Sequence, residues 1–261
     1  LTRLFQYRFS AGNGLEGHSF GNLFLSALTS ITGNLETAIT ASSRVLAVQG
    51  QVVPATNADV RLWAELENGE RIEGESNIGH AQSPIVRLGC LPERPPALPR
   101  ALEAIANADL IVLGPGSLYT SLLPNLLVPE LVAAIQRCRA PRLYICNLMT
   151  QPGETDGLDV RGHLRAIEAQ LASLGIQQRL FNAVLAQNDL TTSPLIEHYR
   201  SRGAEPVICD ADDLRRDGYD ISQAPLQGAR PTATLRHDSR SLALAVMRFY
   251  RSHRKDQQSR N

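Results

Sequence analysis

Apolar residues in this chain follow two different patterns. In the second half, short unbroken runs at 110–113, 143–146 and 181–185 recur between stretches whose apolar positions repeat with a helical period. A run that does not alternate marks a strand buried on both faces, as in parallel sheets. The intervening stretches predict helices over 99–107, 129–138, 160–174 and 195–202. Further strands are expected at 206–209 and 233–235, with a last helix over 242–250. Strand and helix in regular alternation imply a parallel sheet with helices on both faces.

The first half reads differently. A glycine-rich stretch, YRFSAGNGLEGHSFGN at 7–22, leads into an amphipathic helix carrying Phe24, Leu25, Leu28 and Ile31, with Ser19 as its cap. A second helix follows the Gly33-Asn34 turn, over 35–48. Then Val52 and Val53 precede a proline, and Val60, Leu62, Ala64 and Leu66 alternate with polar neighbours as in a half-buried strand. Asn68-Gly69 signals a hairpin, Ile72 begins the return strand, and a third strand is expected at 85–88. The expected fold is a three-layer, Rossmann-like α/β protein with a mainly parallel sheet. Residues 1–261 form one domain, and 51–89 make an antiparallel β-hairpin excursion within it.

Composition narrows the function classes. With 261 residues, 43% of them hydrophobic and 20% charged, the chain can bury a large core and does not read as disordered. Lys+Arg and Asp+Glu both number 26, which removes the electrostatic footprint of a nucleic-acid binder while leaving room for a local anion pocket. The basic tail at 248–260 reads as a solvated end. Cys90, Cys138, Cys146 and Cys209 are scattered without metal-ligand spacing, which fits a reduced, cytoplasmic compartment. No apolar run reaches the length of a membrane span, and no signal peptide is visible. The chain opens on Leu1 within what reads as an element, so an N-terminal piece is expected to be missing.

Candidate chemistry gathers where the apolar runs end. After 110–113 come Gly114, Pro115, Gly116 and Ser117, then Tyr119, Thr120 and Ser121, with Asn125 further along. Ligands bind at strand C-termini in open α/β sheets, and glycines let backbone N–H groups approach an anion. An ordinary Gly-Pro turn is the alternative. After 143–146 come Asn147, Thr150, Gln151, Gly153, Glu154 and Thr155. Amides there can read a base or sugar, and Glu154 can serve as acid, base, metal ligand or surface carboxylate. If the two strands are neighbours, their loops face each other across one crevice. A third loop carries Arg236, His237, Asp238 and Ser239. Arg236 offers a fork that matches phosphate, and Asp238 or Ser239 can cap the last helix. His18 and Asn22 sit near the start of the first long helix, and Tyr199 could stack on a base or pack in the core. The histidines lack close ligand spacing, so no metal site is expected. GxGxxG, GxxxxGK[ST] and GxSxG are absent, which sets aside a standard dinucleotide binder, a P-loop ATPase and a nucleophile-elbow hydrolase.

Taken together, YRF with Gly17-His18 and Gly21-Asn22, ADLIVLGPGSLYTSLLPNLLV, CNLMTQPGET and LRHDS resemble the gluconeogenesis factors of bacteria, within the CofD-like superfamily of 2-phospho-L-lactate transferase. The resemblance covers essentially the whole chain. It implies a protein that binds a nucleotide sugar such as UDP-N-acetylglucosamine and supports growth and cell shape on gluconeogenic carbon sources, with no turnover of its own. The transferase arm implies the alternative, transfer of a phospholactyl-type group from a nucleoside diphosphate adduct to a deazaflavin, with Mg²⁺ at Glu154 or Asp238. Members of the family also begin with a strand and a GGGTG-type loop that this sequence does not show. Neither nucleic acid nor a membrane is an expected partner, and the sequence leaves a homo-oligomer open.

Overall fold

The computed structural model describes residues 2–190, 195–227 and 234–258. Three helices come first: α1 (Thr2–Phe5), α2 (Phe20–Thr32) and α3 (Leu35–Val45). The Ser19 hydroxyl accepts the Asn22 N–H at 3.2 Å and so caps α2, as expected from the sequence. Gly33, at φ 84°, closes α2, and the Asn34 side chain caps α3 by accepting the Thr37 N–H at 2.8 Å. Phe5 meets Phe20 and Phe24 edge-on, with centroids 5.3 and 5.1 Å apart, which fastens α1 to α2.

The alternating segment folds into its own antiparallel sheet. Strands β1 (Arg61–Leu66), β2 (Arg71–Glu73) and β3 (Ile85–Leu91) lie in the order β2-β1-β3, with the short helix α4 (Glu75–Ile78) between β2 and β3. Val52 and Val53 join no strand. Ala64, Leu66, Leu88 and Cys90 turn inward to the main core. On the other face the Trp63 ring lies flat against Gly89, so close that a Cβ there would fall 2.1 Å from it. Arg71 and Arg87 cover the ring at 4.1 and 4.8 Å.

The rest alternates as expected as far as α9. Helix α5 (Pro99–Ala106) precedes β4 (Ile111–Leu113); a π-helical turn, Leu118–Leu122, then runs into α6 (Leu123–Leu126) and α7 (Pro129–Arg137). Next come β5 (Arg142–Ile145), α8 (Val160–Ser173), β6 (Ala183–Gln187), α9 (Ile196–Arg200), α10 (Ala211–Arg216), β7 (Asp220–Ala224) and α11 (Ser239–Gln258). The four later strands pair in parallel in the order β4-β5-β6-β7. Their unbroken hydrophobicity has a physical cause. Tyr144, Val184 and Ala186 face the core shared with α6, α7, α8 and the antiparallel sheet, whereas Leu143, Ile145, Ala183 and Leu185 face the core under α9 and α11. The fold is three-layer α/β with two separate sheets.

Two expected strands are corrected. Residues 206–209 form none: the Val207 N–H donates to Leu148 O at 3.0 Å and the Val160 N–H to Ile208 O at 3.0 Å, so this stretch braces the loop after β5. The strand beside β6 is instead Asp220–Ala224. Of the segment 233–235, Ala233 lies outside the described residues, and Thr234 and Leu235 are not in a strand.

Candidate functional site

β4 and β5 are neighbours, so the two polar loops do meet at their C-terminal ends. Gly114 leaves β4 at φ 90°, where a Cβ would come within 2.8 Å of Ile145 O. Only glycine lets the loop cross the end of β5 this closely. Asn147 then grips Gly116: its Nδ2–H donates to Gly116 O at 2.9 Å, and the Gly116 N–H reaches its Oδ1 at 3.4 Å.

Glu154 ties the loops together. It is only 5% exposed, and its carboxylate accepts from the Ser117 hydroxyl at 2.5 and 2.6 Å. It also accepts from the Gln151 amide at 2.6 Å, the Tyr119 N–H at 3.2 Å and the Thr120 hydroxyl at 3.3 Å. Among the described residues no Arg or Lys forms an ion pair with it. A carboxylate in this position offers about four lone-pair sites, and loop donors take them. Tyr119 adds an anchor, its hydroxyl donating to Ile85 O at 3.1 Å, which fixes the first loop to β3. Burial, reinforced by Glu154, pushes the Tyr119 phenol above its usual pKa.

Other expected site residues are turned toward backbone. Thr150 exchanges two bonds with Glu205, its N–H donating to Glu205 O at 2.7 Å and its hydroxyl accepting the Glu205 N–H at 2.8 Å. Gly153, at φ 84°, lies against Ala81, and its N–H donates to Asp156 at 2.7 Å. The Tyr199 ring packs in the core under α11, and its hydroxyl accepts the Leu235 N–H at 3.0 Å, one residue before Arg236. Pro115 is exposed at the loop tip. Asn125 is exposed on α6, bonded to Ser121 O at 2.9 Å, and lines a separate cleft beside Gln51 and Arg100. His18 and Asn22 are exposed near the start of α2, which packs against α1 and α3, and neither side chain has a hydrogen bond among the described residues.

In the third loop His237 is pinned across the end of β5, its Nε2–H donating to Cys146 O at 3.2 Å. Burial lowers its pKa, an effect partly offset by that bond. Asp238 caps α11 through the Ser241 N–H and hydroxyl, both at 2.8 Å, and those bonds hold its carboxyl below the usual range. Arg236 is exposed, with no ion pair among the described residues. It does not end a strand: the β pairing of this segment among the described residues is an isolated bridge, Gln227 to His237. Cys146, fully enclosed between the sheet and α8, has its thiol pushed up to about 12 by burial. Its side chain packs in the main core, where its sulfur accepts the Tyr144 hydroxyl at 3.8 Å.

No three His, Cys, Asp or Glu residues converge as metal ligands among the described residues. No single described helix is long and apolar enough to cross a membrane. Sequence reasoning missed a cleft of about 540 Å³ beside Glu154, lined by His80, Gln82, Ser83, Pro152 and Asp156 and by Tyr119 of the first loop, among others. Residues 80–83 lie in a connection without hydrophobic pattern, and nothing in the sequence places them beside 152–156.

Comparison with known proteins agrees with this architecture. The chain is 51% identical over 250 residues to a protein of Nostoc sp. named "Putative gluconeogenesis factor", covering 96% of this chain and 54% of that protein. It is 45% identical over 218 residues to a "Gluconeogenesis factor" of Halalkalibacterium halodurans, covering 84% and 66%. For the protein of that name in Bacillus subtilis the identity is 39% over 240 residues, covering 92% and 74%. The chain thus spans about half to three quarters of these relatives. A crystal structure of a UPF0052 family member from Bacillus halodurans superposes with a TM-score of 0.84 at 41% identity, covering 94% of this chain and 76% of that one. The family model described as 2-phospho-L-lactate transferase CofD matches residues 1–227, and the chain belongs to that family.

Proposed function

We propose that the protein binds a nucleoside diphosphate ligand, a nucleotide sugar such as UDP-N-acetylglucosamine, at the ends of β4 and β5. Through that binding it acts as a gluconeogenesis factor that sustains cell shape on gluconeogenic carbon, with no turnover of its own. The observation that carries the reading is the pair of strand-end loops fastened to each other by Asn147 and Glu154, with an unpaired guanidinium, Arg236, beside the residue pinned to Cys146. Preorganised backbone at strand ends, with a cation in reach, suits a diphosphate. Gly114 to Ser117 present the backbone, Arg236 neutralises charge, and Asn147, Thr150 and Gln151 hold the loops in shape rather than reading the base. Calorimetric titration with UDP-N-acetylglucosamine tests this. Saturable heat accompanied by a rise in Tm is expected, and neither appearing at millimolar ligand contradicts it.

The family model favours a second reading, a transferase acting on a nucleoside diphosphate adduct. Glu154 and Asp238 are its candidate Mg²⁺ ligands or bases. Both carboxylates are already engaged, by the loop donors and by the α11 cap, so the local geometry favours binding over catalysis. Incubation with donor and a deazaflavin, followed by mass spectrometry, separates the two; a phosphodiester product selects the transferase.

A further inference from the structure

The polar side chains of the two loops are mostly occupied with one another, whereas three in the cleft beside Glu154, those of His80, Gln82 and Ser83, keep free hydrogen-bonding positions. Among the described residues the His80 ring and the Ser83 hydroxyl have no hydrogen-bond partner. The Gln82 amide nitrogen donates to His80 O at 3.0 Å, which leaves the amide oxygen free. These groups share the cleft with the exposed Asp156 carboxylate and with apolar surface from Pro84, Pro152 and Leu158.

We propose that this cleft binds an uncharged, polyhydroxylated ring, of which a free hexose is the simplest member. Its volume, about 540 Å³, falls within the range of small-molecule sites. Its walls come from residues 80–85, from Tyr119 and from residues 152–158, and the first and last of these touch at one end. There Gly153 lies so near Ala81 that a Cβ would sit 3.1 Å from Ala81 O. Charge decides the ligand class. Neither Arg nor Lys lines the cleft, whereas Glu154 and Asp156 do, so a phosphate or carboxylate would enter unpaired against like charge. Hydroxyl groups, which both donate and accept, match a mixture of ring nitrogen, amide oxygen, hydroxyl and carboxylate. The C–H faces of a sugar ring match the two prolines and Leu158. The proposal does not depend on the strand-end loops taking a nucleotide, because the groups it relies on, His80, Gln82 and Ser83, belong to neither loop.

The test follows the His80 ring resonances of the whole chain by NMR during titration with D-glucose and, separately, with glucose 6-phosphate. Saturable shifts with glucose are expected, with glucose 6-phosphate binding at least about tenfold more weakly. Ser83→Tyr, which fills the cleft, should abolish the shifts. Gln82→Ala, an exposed change, should weaken glucose about threefold to tenfold while leaving Tm unchanged, and it decides the matter if the tyrosine variant does not fold. The proposal is overturned by the absence of saturable shifts, by shifts that survive a folded Ser83→Tyr protein, by unchanged affinity in Gln82→Ala, or by glucose 6-phosphate binding as tightly as glucose.

Discussion

Glu154 and His163 show how single buried polar groups set the stability of this molecule. With no cation beside it, the Glu154 carboxylate depends on the Ser117, Thr120 and Gln151 side chains and the Tyr119 N–H. Glu154→Gln keeps the shape but removes the charge and turns an amide nitrogen toward donors. It should lower unfolding free energy by about 1.5–3 kcal/mol, measured by urea denaturation, with Ser117→Ala costing less. Unchanged stability would show that the loops are held by other contacts. His163 is fully buried on α8, its Nδ1–H donating to Asp159 O at 2.9 Å while Nε2 has no partner among the described residues. Burial lowers its pKa, so the folded protein keeps the ring neutral at a pH where the unfolded chain protonates it. Above the ordinary histidine value of ~6.5 this has no effect; as pH falls below it, stability is lost until the folded pKa is reached. His163→Leu should therefore reduce the loss of Tm on acidification from about pH 7 to 5, and an identical pH dependence in both proteins would contradict this assignment.

At the scale of elements, contact is what the sequence expressed least directly. The apolar runs at β4, β5 and β6 were legible because both faces of those strands are buried. β7 was not, because it is an edge strand whose Asp220, Ser222 and Gln223 lie outside the buried core, leaving Ile221 as its main apolar anchor. The run at 206–209 looked like a strand because Val207 is buried, yet its backbone bonds go to the loop after β5. In the antiparallel sheet the Asn68-Gly69 hairpin was plain, but the pairing of Trp63 with Gly89 was not, since it joins residues on separate strands. Gly89→Ala should displace the indole from beneath Arg71 and Arg87, at a cost of about 1–3 kcal/mol. Trp63 is the single tryptophan of the chain, so intrinsic fluorescence reports the change directly. A red shift in the native state is expected, and unaltered emission with unaltered stability would show that the sheet adjusts without moving the ring.

For the whole molecule, the meeting of the two polar loops was readable and the direction of their side chains was not. Glycines and hydroxyls after two apolar runs located the candidate loops, because strand ends in a parallel sheet are where backbone is left unpaired. Whether Asn147, Thr150 and Gln151 face a ligand or the loop backbone depends on partners distant in sequence, such as Gly116 and Glu205. The structure turns them inward, and in the proposed reading the diphosphate contact falls to Arg236. The account therefore rests most on that residue. If the proposed reading holds, its loss removes a charge-assisted contact to phosphate, about 1.5–3 kcal/mol, or roughly tenfold to a hundredfold in affinity. Being exposed and unpaired among the described residues, it should contribute little to folding. The most direct test is calorimetric titration of UDP-N-acetylglucosamine into the wild-type and Arg236→Ala proteins, with Tm recorded for both. The account predicts saturable binding to the wild type, a loss of at least about tenfold in the variant and Tm values that agree; equal affinity in the two proteins, or a variant that unfolds, would contradict it.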